Sequence, residues 1–180
     1  MKKKLFLEIQ EQAAEYFEKA KIVITPQERE NIEVADLGLG RIYEIGLESI
    51  VYINTDRVCA KEMVLFPKQT CPEHLHPPVD DDIGKEETFR CRYGKVYLYV
   101  EGEPSKEIQA KIPAGDEDCF TVFHEIILNE GEQYTIYPGT KHWFQAAENG
   151  AVISEFSTHC RDEYDVFTDS RIKRIPQIEE

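Results

Sequence analysis

Two histidines separated by a single residue, His74 and His76, could bind a metal ion together. On a β-strand, residues i and i+2 project from the same face, because side chains alternate between the two faces. Two imidazoles on one face supply half of a typical metal site. A His-x-His pair is common by coincidence, so its meaning depends on further ligands elsewhere in the chain.

Glu87 is the third candidate ligand, and the alternation of its own segment selects it. Phe89 and Cys91, two and four residues after Glu87, would lie on the same face of a strand and are apolar. The positions of the opposite face, such as Glu86 and Arg90, are polar or charged. The segment therefore predicts a strand that buries Glu87 and exposes Glu86. An unpaired carboxylate among apolar groups is unfavourable, and a metal ion would remove that penalty.

His142 is the fourth candidate ligand, at the start of a further predicted strand. Asn149-Gly150 follows and predicts a two-residue β-hairpin, which would place Glu155 opposite Phe144. In that register His142 and Glu155 share an interior face as diagonal neighbours, with backbones about 7–8 Å apart. Three imidazoles and one carboxylate suit Mn, Fe, Co, Ni or Zn, with positions left for water or substrate.

The elements that must position these residues change character near residue 40. Phe6, Ile9, Ala13 and Phe17 recur every three or four residues and predict a helix over residues 5–20. Thr25-Pro26-Gln27-Glu28 predicts the start of a second helix. Strands are predicted near 41–54, 57–66, 88–100, 119–128, 133–137, 142–148 and 151–158. This order predicts an all-β sandwich or barrel preceded by helices.

The composition is that of an ordinary globular domain of 180 residues, 41% hydrophobic and 31% charged. The net charge of −14 argues against non-specific binding to nucleic acid or anionic membrane. No apolar run is long enough to span a bilayer, and Glu8 and Gln10 interrupt any export signal after the basic start. Five cysteines without paired spacing predict free thiols in a reducing cytoplasm.

These segments resemble the two motifs of the cupins. The first runs from His74-Leu75-His76 to Glu87, and the second ends at His142. The spacing between His76 and Glu87 is longer than in the commonest form. Tyr137 stands where the family usually has Pro, and Ala146 where it often has Asn. Neither departure affects a candidate ligand.

More specifically, residues 40–175 resemble the cupin-type D-lyxose isomerases. The similarity lies in the segments Cys71–Pro78, Gly84–Arg90, Ser154–Thr158 and Arg161–Asp169. It implies a jelly-roll β-barrel over residues 36–180 with a C-terminal extension, and an N-terminal helical segment, residues 1–35, packed on the barrel. It also implies a homodimer that uses Mn²⁺ to interconvert free aldoses and ketoses, D-lyxose with D-xylulose and also D-mannose with D-fructose.

Isomerisation needs a base to move a proton between C1 and C2, and a group to stabilise the enediolate left behind. Glu155 is the candidate base, with a structural ion pair as the alternative. The resemblance points to Lys61 as a polarising cation, although alternation leaves open whether Lys61 or Glu62 faces inward. A surface lysine with a buried stem is the alternative for Lys61. The remaining candidates, for substrate binding, are Lys85, Arg161 and Asp162.

Three other functions are compatible with a metal cupin. The first is an Fe-dependent dioxygenase acting on a thiol or a small acid. The second is a phosphosugar isomerase, which needs several cations converging on phosphate; Arg90 and Arg92 are predicted to point outward. The third is a non-catalytic sugar-binding cupin, which would not need Glu155.

Overall fold

The computed structural model describes residues 1–179, in which two helices precede a nine-stranded sheet. The helices are α1, Lys3–Lys19, and α2, Pro26–Glu30. The first five strands are β1, Glu33–Ala35; β2, Leu47–Asn54; β3, Cys59–Leu65; β4, Thr70–Leu75; and β5, Glu87–Val100. The others are β6, His124–Asn129; β7, Gln133–Ile136; β8, His142–Ser157; and β9, Val166–Phe167.

Both predicted helices form, and the first packs on the sheet. Ile9, Ala13 and Phe17 lie on one face of α1 and are fully buried, in a cluster that includes Val64 and Val152 of the sheet. The start of α2 is the predicted capping box, in which Thr25 and Glu28 each accept the other's backbone N–H, at 3.2 and 2.7 Å. Both helix predictions are thus confirmed, with α1 starting two residues earlier than expected.

The long strands β5 and β8 join the other strands into one curled sheet. They run antiparallel over their whole length, from Glu87 opposite Ser157 to Val100 opposite His142. The first half of β8 also pairs with β4, and its second half pairs with β3. The interior is filled by an apolar cluster around Phe89, Leu98 and Phe144. The predicted all-β architecture with N-terminal helices is confirmed.

The predicted hairpin at Asn149-Gly150 is wrong. The chain does not reverse there; β8 continues past it, and residues 147–150 form a bulge between the pairs Gly94–Ala151 and Val96–Ala146. Gly150 has φ 75°, and a Cβ there would lie 2.8 Å from the Leu65 carbonyl oxygen. Residues that tolerate positive φ serve a bulge as well as a tight turn, so the dipeptide alone did not distinguish them.

Several strand limits also differ from the sequence prediction. The strand predicted from residue 41 starts at Leu47, because residues 42–44 form a turn and Ile45 makes only an isolated bridge to Thr70. The strand predicted over 119–128 begins at His124, after the short 3₁₀ helix Glu117–Cys119. Strand β4, which carries His74, was absent from the predicted strands, although His74 and His76 were expected to lie on a strand. Proline at position 72 and the short length of β4 weaken its sequence signal.

The division into residues 1–35 and 36–180 stays a prediction. β1, which ends at Ala35, pairs with β2 and so belongs to the sheet. Among residues 1–179, no helix has the length and apolar character needed to cross a bilayer.

Candidate active site

Three imidazoles converge inside the barrel. His74 opposes His142 across β4 and β8, and His76 follows β4 by one residue. The ring centroids of His74 and His142 are 4.3 Å apart, and that of His76 lies 5.0 and 5.3 Å from them. One nitrogen from each ring lies within 4.8 Å of the others, so the three histidines could hold a metal ion.

Each imidazole is oriented by an acceptor at Nδ1. His74 donates to the carbonyl oxygen of Pro72 at 2.8 Å, and His142 to that of Thr140 at 2.9 Å. His76 donates to Oδ1 of Asp165 at 2.5 Å. With Nδ1 engaged in this way, a neutral ring carries its lone pair at Nε2, the nitrogen that remains available to a metal ion, as in metal sites whose ligands are held by outer hydrogen bonds.

Glu87 completes the cluster as the alternation predicted. Its Oε1 lies 3.2 Å from Nε2 of His76 and 3.0 Å from Nε2 of His142, and its side chain is 1% exposed. Burial opposes ionisation, but the neighbouring Lys85 and His76 outweigh it and hold the pKa of Glu87 well below its usual range. The carboxylate is therefore ionised and available as a ligand at neutral pH.

The histidines differ in protonation. Burial, with His142 and His76 nearby, holds the pKa of His74 well below its usual value, so this ring is neutral, as a metal ligand must be. For His76, burial lowers the pKa, but Glu87 and Asp165 raise it to about 9. A bound cation would compete with that proton, since both need the Nε2 lone pair.

The donor set fits a divalent metal ion. Nε2 of His142 is fully buried and has no hydrogen-bond partner among residues 1–179, although it lies beside Glu87. A buried nitrogen without a partner destabilises the fold, and a cation at the centre of the cluster would supply that partner. Mixed nitrogen and oxygen ligands are those that divalent Mn, Fe, Co, Ni and Zn accept.

A second group of charges lies beside the imidazoles in the same cavity. Glu155 is 3.2 Å from Nζ of Lys85 and 3.5 Å from Nζ of Lys61. Lys85 also lies 2.7 Å from Oε2 of Glu87, and Lys61 lies 3.0 Å from Asp162. These five side chains line a cavity together with His74, His76 and an apolar wall that includes Met63, Phe89 and Phe167.

The structure places most of the predicted residues here. Lys61, and not Glu62, faces the cavity; Glu62 instead accepts a hydrogen bond from Ser154 on the opposite face. Lys85, a candidate for substrate binding, is buried and lines the cavity. Arg161 is not brought to the cluster: it lines a smaller adjoining cavity and bonds to the Val79 carbonyl oxygen at 3.4 Å.

The sequence reasoning missed two residues that support the site. Asp165 orients His76 from 89 positions away in the chain. Arg174 lines the cavity and ties Asp162, at 3.1 Å, to Glu33 of β1. Asp165 lies in the segment Arg161–Asp169, and the family resemblance of that segment was the only sequence feature that could have pointed to Asp165. No spacing rule links these residues to the histidines, because the contacts depend on how the C-terminal segment crosses the barrel.

The curled antiparallel sheet, with a buried cluster in its interior that could hold a metal ion, defines a cupin. Among solved structures, the chain resembles L-ribose isomerase from Cellulomonas parahominis, with a TM-score of 0.78 and 15% identity over 96% of this chain and 94% of that one. At this identity the likeness concerns the fold.

Sequence comparison gives the family. The model of the D-lyxose isomerase family matches residues 33–180. A D-lyxose/D-mannose isomerase from Thermosediminibacter oceani is 63% identical over 180 residues, covering 100% of this chain and 99% of that protein. A D-lyxose ketol-isomerase from Cohnella laeviribosi is 62% identical over 172 residues, covering 96% and 94%. The chain belongs to the D-lyxose isomerase family.

Proposed function

We propose that this protein is an aldose–ketose isomerase that interconverts D-lyxose with D-xylulose, and D-mannose with D-fructose, using a divalent metal ion. The observation that carries the proposal is a buried carboxylate, Glu155, that shares a cavity with the imidazole cluster without belonging to it. A non-catalytic sugar-binding cupin has no need of such a group. The activities in the names of the two relatives support the choice of sugars.

His74, His76, His142 and Glu87 would hold the metal, which we propose to be Mn²⁺. When bound, a divalent ion supplies a Lewis acid that offsets negative charge on the sugar oxygens. Asp165 keeps His76 in the tautomer that this role needs. Elemental analysis of the purified protein, followed by reconstitution with Mn, Fe, Co, Ni and Zn in turn, tests the choice of metal.

Glu155 takes the proton from one of the two carbons, C1 or C2, and returns it to the other. Its Oε1 accepts hydrogen bonds from Ser157, at 3.0 Å, and from Lys85, at 3.2 Å, which fix the carboxylate in the cavity. Burial lowers the pKa of Lys61 and Lys85, but Glu155 and the other carboxylates raise both above the ordinary value, so both stay ammonium ions. Their N–H groups can donate to the enediolate oxygens and stabilise the charge that develops there.

The balance of charge favours a free sugar over a phosphosugar. Lys61, Lys85 and Arg174 in the cavity are each within 3.2 Å of a carboxylate, which leaves little positive charge for a phosphate. Arg90 and Arg92 bond to Gln133 and Ser154 on the outer face. A dioxygenase would need O₂, so isomerisation that persists under anaerobic conditions argues against that alternative.

The variant Glu155→Gln tests the proposed base. We expect kcat for D-lyxose to fall by roughly 10²–10⁴-fold, because the amide cannot accept the proton, while metal content stays the same. Glu62→Gln is the matched control, since Glu62 lies one residue from Lys61 but on the opposite face. Unchanged turnover in Glu155→Gln would refute the assignment of the base.

We also propose a cytoplasmic homodimer. All five cysteines are unpaired, which suits a reducing compartment. On the outer face of the sheet, Ile53 and Phe156 flank Ala60 in one cross-strand row and are 46% and 52% exposed. A second copy of the chain could cover this row. Light scattering of the wild type and of Phe156→Lys would show whether the mass corresponds to a dimer and whether the row maintains it.

A further inference from the structure

Two thiols lie together just outside the cavity. The sulfur atoms of Cys59 and Cys160 and a carboxylate oxygen of Glu155 are within 4.8 Å of one another. Cys59 and Cys160 are 2% and 8% exposed, and neither lines the cavity itself. The proposed reaction uses neither thiol.

The backbone holds the two cysteines in this arrangement. Asn54 is the cross-strand partner of Cys59 in β2 and β3. Its carboxamide accepts the backbone N–H of Cys160 at 3.1 Å and donates to the Cys160 carbonyl oxygen at 2.9 Å. Directly opposed residues in antiparallel strands have Cα atoms about 4.5–5.5 Å apart. Asn54 thereby keeps Cys160 near Cys59, and the two sulfur atoms lie within 4.8 Å of each other, so that a disulfide requires them to approach further.

Cys160 also contacts the charged side chains of the cavity. Its sulfur accepts a hydrogen bond from Nζ of Lys61 at 3.2 Å, and its S–H donates to Oδ1 of Asp162. The neighbouring Cys160 side chain, supported by Lys61 and opposed by burial, lowers the pKa of Cys59 to about 7. A substantial fraction of Cys59 is then thiolate at neutral pH, which is the form that oxidants attack.

We propose that Cys59 and Cys160 form a reversible disulfide when the protein meets a peroxide. The Cys59 thiolate attacks one peroxide oxygen and becomes a sulfenic acid, as the O–O bond breaks and hydroxide leaves. The Cys160 thiol then attacks the Cys59 sulfur; the S–S bond forms, the S–O bond breaks, and water leaves with the thiol proton. In total two thiols are oxidised and one hydrogen peroxide is reduced to two waters.

The disulfide would lower isomerase activity, a consequence that rests on the proposed function. A Cys160 sulfur bonded to Cys59 has no proton to donate to Asp162 and is a weaker acceptor for the ammonium group of Lys61. For both side chains, a contact that fixes them beside Glu155 is then lost or weakened. A small displacement of such groups is enough to slow the chemical step.

The test compares wild type, Cys59→Ser and Cys119→Ser, all loaded with metal, before and after treatment with hydrogen peroxide. Cys119 is the control because its thiol lies elsewhere, near Arg171. Peptide mapping without reduction should find the Cys59–Cys160 link in the wild type and in Cys119→Ser. In these two proteins kcat should fall by roughly tenfold or more and recover with dithiothreitol, whereas Cys59→Ser should keep its activity.

Two results would overturn the proposal. One is the absence of a Cys59–Cys160 peptide after peroxide treatment of the wild type. The other is an equal, irreversible loss of activity in wild type and Cys59→Ser, which would indicate damage at another site. Mapping the link does not depend on turnover, so failure of the isomerase assignment and failure of the disulfide can be told apart.

Discussion

Asp165 orients the imidazole of His76 through a single hydrogen bond. Its carboxylate side chain is 7% exposed and accepts the Nδ1–H of His76 at 2.5 Å. The ring cannot present a lone pair at Nε2 unless Nδ1 carries the proton. An outer acceptor of this kind governs metal affinity although it never touches the metal.

The variant Asp165→Asn should bind Mn²⁺ about 10–100-fold more weakly than the wild type. An amide in this position can rotate to offer N–H in place of an acceptor, and so favours the wrong tautomer of His76. Competition against a fluorescent chelator measures the affinity directly. Asp81→Asn, at an exposed position in the loop before Gly84, is the control. Equal affinity in all three proteins would show that Asp165 has no influence on the metal.

At the scale of elements, strand β2 contains a carboxyl group that the fold keeps neutral. Glu48 is fully buried between Val34 of β1 and Val64 of β3. Burial raises its pKa to about 8, although a hydrogen bond from Gln69, at 3.1 Å, opposes the rise. Oε2 has no partner among residues 1–179. The strand therefore carries a group that destabilises the fold when it ionises.

The sign of the pH effect follows from that raised pKa. In the unfolded chain Glu48 ionises near its ordinary value of 4.5, whereas in the folded chain it stays protonated up to about 8. Between these values the unfolded state binds fewer protons, so the contribution of Glu48 to stability falls as pH rises. Below pH 4.5 both states are protonated and the effect vanishes.

Glu48→Gln should therefore increase the free energy of unfolding at pH 8 by a few kcal/mol, at about 1.4 kcal/mol per pKa unit, and change it little at pH 4. Urea denaturation at the two pH values measures the difference. Glu86→Gln, which alters an exposed carboxylate, is the control. A gain of equal size at both pH values would point to altered packing and not to the ionisation of Glu48.

For the whole molecule, the metal should couple the site to the stability of the barrel. The proposed ligands come from β4, the segment after it, β5 and β8, so a bound ion would link strands that are distant in sequence. A ligand that binds the native state at 100 times its Kd adds about 2.7 kcal/mol. In a chain of this size that corresponds to a rise in Tm of roughly 5–10 °C.

Removal of metal with a chelator should lower Tm by that amount, and Mn²⁺ should restore it. The double variant His74→Ala with His142→Ala is the control, because its Tm should not respond to Mn²⁺. Differential scanning calorimetry provides the measurement. A wild-type Tm that is the same in chelator and in Mn²⁺ would argue that the native state does not bind the ion.

The local signals in the sequence were sufficient for the class of fold and for the candidate ligands. Two of these signals are properties of single strands. One is the alternation that places Glu87 on the apolar face of its strand, and the other is the i, i+2 spacing of His74 and His76. They follow from the alternation of side chains, whatever the partners of the strand. The capping box at Thr25 is local in the same way.

Only the tertiary structure determined the features that depend on the pairing of strands. Asn149-Gly150 fits a hairpin or a bulge, and the continuous pairing of β8 with β5 selects the bulge. Glu155 still reaches the cavity, but opposite Lys61 and Phe89 instead of Phe144. That same register turns Lys61 inward. The contact of Asp165 with His76 spans 89 positions. Strand register and the path of the C-terminal segment are determined by the burial of many residues together, so they cannot be predicted from any short segment.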